Sequence, residues 1–270
     1  MRIAVDHTTH YVFSGPVARG LQRLRLTPKG SAGQRVLEWK MEFDGAQLQV
    51  EYDDPNNNHV SLISFDTGTR EVTIRCHGMV DTNDQAGIIG RHSGFMPMWQ
   101  FLEQTDLTRS GAKMRGLMSA LPTEPNPLAT LHGLSAAIRE RVEYASGYTD
   151  SATTAEGVLA LGHGVCQDHA HVFIGAARSL GIPARYVSGY LYMDDRIEQD
   201  AGHAWAEAHV DGLGWVGFDI SNGISPDSRY VRVATGRDYR DAAPITGITH
   251  GARDESMHVK LAVEQQRVEQ

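Results

Sequence analysis

"GHGVCQDHAHVFIGAARSLGIPARY", residues 162–186, decides how this chain is read. Gly162 and Gly164 precede Cys166, one of only two cysteines in the chain. From Cys166 onward the stretch has helical spacing and is apolar on most faces, the pattern of a buried helix. Gly181 followed by Pro183 is a stop signal. The spacing therefore puts Cys166 in the first turn of a helix. Free amide hydrogens point out there, and the helix dipole favours negative charge. That environment favours the thiolate, the reactive form of cysteine. Glycines beside it would let a substrate backbone come close.

Upstream, "PLATLHGLSAAIRERVEY" (127–144) carries Leu128, Leu131, Leu134 or Ser135, Ile138 and Val142 at helical spacing, with Pro127 suited to a first turn. Downstream lie three strand-like segments, "ARYVSGYLY" (184–192), "HAWAEAHV" (203–210) and "GWVGFDI" (214–220). In the second, His203, Trp205, Glu207 and His209 share one face. The link "VDGLG" predicts a hairpin. With His209 paired to Trp215, His203 falls opposite Ser221 and Asp219 opposite Trp205. His203 and Asp219 are then diagonal neighbours about 7–8 Å apart at the backbone. An imidazole and a carboxylate span that gap. The hairpin thus supplies a base and an orienting group for a nucleophile at a helix start.

The first part of the chain reads as strands. "VLEWKMEF" (36–43), "QLQVEY" (47–52) and "EVTIRCHG" (71–78) alternate apolar and polar residues, as half-buried strands do. Leu37, Trp39, Met41 and Phe43 form one apolar row, Leu48, Val50 and Tyr52 a second, and Val72, Ile74 and Cys76 a third. On that face Cys76 reads as a buried small hydrophobe. Turn signals at 28–33, 43–46, 53–58 and 66–69 separate the runs. The proline-rich "LPTEPNP" (121–127) breaks the chain again. Strands, then helices, then strands indicate an α+β fold. An antiparallel β-sandwich or barrel over 1–110 is expected to precede a core over 111–270, where a central helix packs on an antiparallel sheet.

The motifs "GVCQDHAH", "LGIPARYVSGYL", "HAWAEAHV" and "GWVGFDISN" resemble the transglutaminase-like superfamily, a branch of the papain-like cysteine enzymes, over residues 115–250 or so. "VDHTTHYVFSGPV" (5–17) and "GRDYRDAAPITG" (236–247) fit bacterial transglutaminase-like cysteine proteases, which carry a β-rich N-terminal domain. The resemblance implies Cys166 as nucleophile, His203 as base and acid, and Asp219 as orienter, with no cofactor. It leaves the substrate open, since members form amides, cleave peptides or are inactive. The oxyanion hole of papain-like enzymes takes a side-chain donor upstream of the cysteine. Here the sixth residue upstream is Ala160, so Tyr148, His163 or Gln167 would have to serve beside the Cys166 amide. Gly164, Gln167 and Trp205 are the expected substrate contacts, although Trp205 also suits core packing.

Other readings of the same residues carry less. His163, Cys166, His169 and His171 resemble a zinc set, but His171 points elsewhere around the helix and no compact four-ligand group emerges. The expectation is therefore no metal. Asp168 reads as local capping, and Arg178 and Arg185 as solvated or structurally paired. The formal charge of −8 argues against nucleic acid and anionic membranes as partners. Two cysteines make no disulfide framework, and the first residues have no apolar run of signal-peptide length, so a cytoplasmic location is expected. The acidic loop "MDDRIEQDAG" (193–202) suits a cationic peptide or protein amide substrate. The β-rich part is expected to position substrate or to join copies of the chain as a homo-oligomer. The functional expectation is a cysteine hydrolase, peptidase or amidase, working through a thioester. A transglutaminase that passes the acyl group to an amine and an idle binding module on the same fold are the alternatives.

Overall fold

The computed structural model describes residues 1–122, 126–199, 201–251 and 254–266. Thr123–Pro125 of the proline-rich break and Asp200 of the acidic loop lie outside the described residues. The chain opens with six strands: β1 (Arg2–Phe13), β2 (Arg19–Leu24), β3 (Gln34–Asp44), β4 (Ala46–Asp53), β5 (His59–Phe65) and β6 (Glu71–Thr82). A short β7 (Ile88–Gly90) leads to α1 (Ala112–Ser119) and α2 (Pro127–Arg141). Next come β8 (Glu143–Tyr144), α3 (Ala155–Leu161), β9 (His163–Gly164) and α4 (Cys166–Ser179). The rest is β10 (Ala184–Leu191), β11 (Glu198–Gln199), β12 (His203–Val210), β13 (Gly214–Phe218), β14 (Tyr230–Gly236), α5 (Tyr239–Ala242), β15 (Ile245–His250) and β16 (Glu255–Gln265).

The strands form three main sheets, in the orders β11-β16-β1-β6-β3, β15-β2-β5-β4 and β14-β10-β12-β13-β7. The fold is α+β, with antiparallel N-terminal sheets and a helix-on-sheet core. Strand β1 explains how the parts join. Its alternate residues Ile3, Val5, His7, Thr9, Tyr11 and Phe13 all face inward. Tyr11 and Phe13 pack with Ile63 and Phe65 of the second sheet, while Ile3 and Val5 pack into the helical core. One long strand therefore covers two cores.

Chain order and sheet membership differ. Strands β15 and β16, within the segment expected to be core, pair with β2 and β1. Strand β7, within the expected N-terminal segment, pairs with β13. A strand's partner is set by long-range packing, which local alternation does not encode. A second correction concerns "QLQVEY". It forms β4, but Leu48, Val50 and Tyr52 are exposed rather than half-buried. β4 is the edge of its sheet, and a register shift between Leu48 and Val50 breaks its alternation.

The core is built on α4. Asp168 through Arg178 are all buried, and each of Val172, Phe173 and Ile174 contributes about 1.5–3 kcal/mol through burial. The helix packs on the alanine face of β12, where Ala204, Ala206 and Ala208 leave room for it. The opposite face of this sheet meets the N-terminal part. The free edge of β14 is covered by two side-chain amides. Arg232 N–H donates to Gln34 Oε1 at 2.7 Å, and Gln34 Nε2 donates to the Arg232 carbonyl at 2.7 Å. Asn58 repeats the pattern on Thr235, with both contacts at 2.8 Å. Such pairing satisfies edge groups as another strand would.

Candidate active site

The helix start at Cys166 is built by its neighbours. Gly162 closes α3 at φ 75°, a left-handed conformation suited to glycine. Gly164 is buried, and a Cβ there would meet the Asp168 side chain at 2.7 Å. Its lack of a side chain makes room for the helix cap rather than for a substrate. Asp168 caps as expected: Val165 N–H donates to its Oδ2 at 2.8 Å and Thr149 Oγ1 at 2.6 Å. Burial pushes this carboxyl above its ordinary range despite those bonds. Gln167 is half-buried in the first turn, beside the half-buried Cys166.

The hairpin has the expected register, with His209 opposite Trp215 and Ala206 opposite Phe218. Regular pairing stops at Phe218, and the chain turns back through Asp219, whose N–H donates to the Ile224 carbonyl at 2.8 Å. That turn aims the Asp219 carboxylate at His203, and Nε2 meets Oδ2 at 2.6 Å. Asn222 Nδ2 at 2.6 Å and Tyr230 Oη at 2.7 Å donate to the same oxygen, while Asn222 N–H reaches Oδ1 at 3.1 Å. Burial works against the charge on Asp219, but these donors hold it below the usual carboxylate range.

His203 Nδ1 is left for the sulfur. No aligned hydrogen bond joins Cys166 to His203, but the thiol is close enough to favour a proton on the ring. Burial opposes that charge. Asp219 and Cys166 together outweigh it and push the imidazole up to about 10. Trp205 stacks on the ring at 6.2 Å between centroids and packs edge-on to Tyr230 at 5.4 Å. It is buried, so it backs His203 and does not face the cleft.

His169 ties the helix to the Asp219 turn. Its Nε2 contacts the Val142 carbonyl at 3.1 Å and its Nδ1 contacts Ser221 Oγ at 2.8 Å. A carbonyl only accepts, so Nε2 carries the proton and Ser221 donates to Nδ1. His171 lies elsewhere, accepting from Tyr239 N–H at 3.1 Å. Burial pushes it down to about 3. Among the described residues no three His, Cys, Asp or Glu side chains form a metal-holding group. Arg178 and Arg185 are both buried and paired, Arg178 to backbone carbonyls of Phe101, Ala184 and Arg237 and Arg185 to Glu207.

Three site residues were not read from the sequence. Tyr230 and Asn222 hold Asp219. Tyr144 lies on the cleft side, and burial together with the charges of Cys166 and Asp219 raises its hydroxyl above the ordinary value. The "NG" at 222–223, a turn signal directly after Asp219, could have drawn attention to Asn222. Nothing local marks the two tyrosines. Tyr148 is exposed and stacks on His163 at 4.6 Å, and His163 also contacts Glu143 at 3.5 Å. Among the described residues no helix is long and apolar enough to cross a membrane.

Known proteins carry the same arrangement of segments. The family described as the transglutaminase-like superfamily matches residues 118–220, and the bacterial transglutaminase-like N-terminal region matches residues 3–81. An uncharacterized protein of Mycobacterium tuberculosis is 30% identical over 95% of this chain and 90% of its own length. One from Mycobacterium leprae is 27% identical over 93% and 94%. The crystal structure of a candidate cysteine protease from Cytophaga hutchinsonii superposes with a TM-score of 0.78 at 22% identity, covering 100% of this chain and 92% of that one. That likeness concerns the fold. With both segments matched and a relative similar end to end, the chain belongs to the transglutaminase-like superfamily, in its bacterial form with a β-rich N-terminal region.

Proposed function

We propose that this protein is a cysteine hydrolase of amide bonds, with Cys166, His203 and Asp219 as its triad. The observation that carries the proposal is the placement of His203, with Asp219 Oδ2 at 2.6 Å from Nε2 and the Cys166 thiol near enough to favour a proton on the ring. The raised imidazole keeps a proton at neutral pH. The sulfur attacks the amide carbonyl, and the free N–H groups of the first α4 turn, at Cys166 and Gln167, receive the oxyanion. The C–N bond breaks as His203 gives its proton to the leaving amine. Neutral His203 then takes a proton from water, the hydroxide attacks the thioester, and Cys166 leaves as thiolate. Asp219 stays ionised throughout and fixes the ring.

Hydrolysis is favoured over transfer by the cleft's openness. Tyr144 and Tyr148, the rings on the Cys166 side, are 56% and 60% exposed, so neither seals the thioester from water. An amine must compete with bulk water there, which a transferase prevents by enclosure. The neighbour from Cytophaga hutchinsonii, itself a candidate cysteine protease, agrees with the hydrolase reading.

Limited iodoacetamide treatment of the native protein, followed by peptide mapping, tests the nucleophile. Cys166 should label first. Cys76 is fully buried beside Tyr190 Oη, and burial pushes its thiol up to about 12. Equal labelling of the two would overturn the assignment. Product partition tests the reaction type. With a millimolar primary amine and a turned-over acyl donor, most product should be free acid, and a majority of amide product would make the protein a transferase.

A further inference from the structure

Away from the triad, the sheet face opposite α4 holds a polar cavity of about 270 Å³. A water occupies about 30 Å³ of liquid, so the cavity suits a small hydrated ion and not a folded segment. Lys29 of the N-terminal part and Arg185 and Arg232 of the core line it. The one carboxylate buried with them is Glu207, which takes Arg185 Nε at 2.6 Å on Oε2 and Arg232 Nε at 2.6 Å on Oε1. Three basic side chains thus face one buried acid. Asp53 stands at the rim, 70% exposed and 3.3 Å from His59. The neighbouring Arg25–Asp54 pair balances itself at 3.1 Å.

The donors are also incompletely used. Arg185 is 95% buried, with its guanidinium 3.9 Å from the Trp215 ring. Only its Nε has a hydrogen-bond partner among the described residues, and the residue lines the cavity. Arg232 spends Nε and Nη2 on Glu207 and keeps Nη1. Lys29 Nζ donates to the Asn56 carbonyl at 2.6 Å and Thr235 Oγ1 at 2.8 Å. Burial, then Arg232 and Arg185, push this ammonium well below its ordinary value, and Glu207 and Asp54 oppose the shift without cancelling it. Three basic side chains lining one cavity around a single buried carboxylate favour an anion there.

We infer that this cavity is an anion site, binding a small oxyanion of phosphate or carboxylate chemistry between Lys29, Arg185 and Arg232. Planar guanidinium edges match such oxygens in pairs. Asn56 Oδ1, buried without a partner, offers an acceptor to a ligand hydroxyl, which favours monohydrogen phosphate. The site is separate from the triad. Glu207 is four residues along β12 from His203, about 13 Å at strand rise. Because Lys29 comes from one part of the molecule and the arginines from the other, the ion would pin the β-rich part to the core.

Calorimetric titration and thermal denaturation with sodium phosphate, against chloride at matched ionic strength, test this directly. Phosphate should bind saturably and, well above its Kd, raise Tm by about 5 °C. A parallel acetate series separates the sources: a larger response to acetate assigns the site to carboxylates. Lys29→Met should weaken phosphate at least tenfold. Asp53→Asn, at the exposed rim, should tighten it about threefold, and it decides the matter if Lys29→Met does not fold. The inference is overturned if neither phosphate nor acetate exceeds chloride, or if Asp53→Asn binds with wild-type affinity.

Discussion

Strand β12 carries two buried charged groups on one face, and they are built in opposite ways. At its start, His203 contacts one carboxylate and one thiol. Four residues on, Glu207 sits between two guanidinium groups. Both charges survive burial because a partner outweighs desolvation. His203 is pushed up to about 10, whereas Glu207 is pulled down to about 2, burial opposing Arg185 and Arg232. The partners differ in kind. Burial pushes Arg185 down to about 10, which still leaves it protonated at neutral pH, so the Glu207 cluster is fixed in charge there. The His203 pair can pass a proton to a substrate and recover it. One end of the strand is built to change state and the other to hold its state.

The two ends also predict opposite pH windows for stability. The folded pKa of His203 is raised, so its contribution is complete below about 6.5 and is lost as pH rises through about 10. The folded pKa of Glu207 is lowered, so its contribution is complete above about 4.5 and is lost as pH falls through about 2.

The largest effect is expected at the catalytic end of β12. His203→Ala removes the proton carrier and should lower kcat/KM by about 10⁴-fold on any amide substrate found for the enzyme, with Asp219→Asn costing ten- to a hundredfold less. Near wild-type turnover in His203→Ala would end the triad proposal. Stability against pH gives a second readout, since His203→Ala should lose the alkaline decline and keep the acid one.

At the other end the loss should appear in stability and not in chemistry. Glu207→Gln leaves two buried arginines without their carboxylate, a change that costs about 3–5 kcal/mol, or about 10 °C in Tm. Activity per folded molecule should stay near wild type. A wild-type Tm in Glu207→Gln would mean that the cluster tolerates its excess charge, and the contrast drawn between the two ends would fail.

Tyr230→Phe sharpens the comparison on a smaller scale. Asp219 Oδ2 keeps His203 and Asn222 but loses the 2.7 Å hydroxyl contact. One hydrogen bond to a charged group is worth about 1.5–3 kcal/mol, part of which Asn222 can recover. A roughly tenfold fall in kcat with KM unchanged is expected. A rise in KM at constant kcat would instead place Tyr230 in substrate binding.

The legible part of the site came from short-range geometry. A five-residue hairpin link fixed His209 against Trp215, but the ladder ends at Phe218 instead of running on to set Ser221 opposite His203, and the turn through Asp219 completes the approach to His203. The glycines before Cys166 marked the helix start. What stayed hidden depends on distant chain. Tyr230 reaches Asp219 from the next strand, and the arginines reach Glu207 from β10 and β14. The membership of β16 in the first sheet is a pairing across nearly the whole sequence. β4 misled for a related reason. Its sequence alternates, but a register shift breaks that alternation in the sheet and no neighbour covers the edge strand, and neither is visible in the sequence. Gly164 and Trp205 were assigned to substrate because their chemistry permitted it, and burial gave both to the scaffold.

The smallest effect belongs to the acidic loop that enters β12. It is less free than its composition suggests, since Glu198 and Gln199 pair with β16 and Gln199 Nε2 donates to the Leu191 carbonyl at 2.8 Å. Asp194, Asp195 and Glu198 still point into solvent, and Arg196 lies 3.4 Å from Asp195. Only three residues separate Gln199 from His203, so a substrate side chain reaching along the loop would come within about 10 Å of these carboxylates. At that distance in water a charge pair is worth about 0.4 kcal/mol. Three net charges would then favour a cationic side chain by about 1 kcal/mol at low salt. Asp194→Asn, Asp195→Asn and Glu198→Gln together leave the loop neutral, with Arg196 balancing Asp200. In that variant KM for Lys- or Arg-containing substrates should rise about fivefold at low ionic strength. Near 0.15 M salt the screening length is about 8 Å, and the difference should shrink below twofold. Neutral substrates should show no change at either salt. An unchanged KM for cationic substrates at low salt would mean that the loop faces away from the cleft and that the catalytic end of β12 selects no charge.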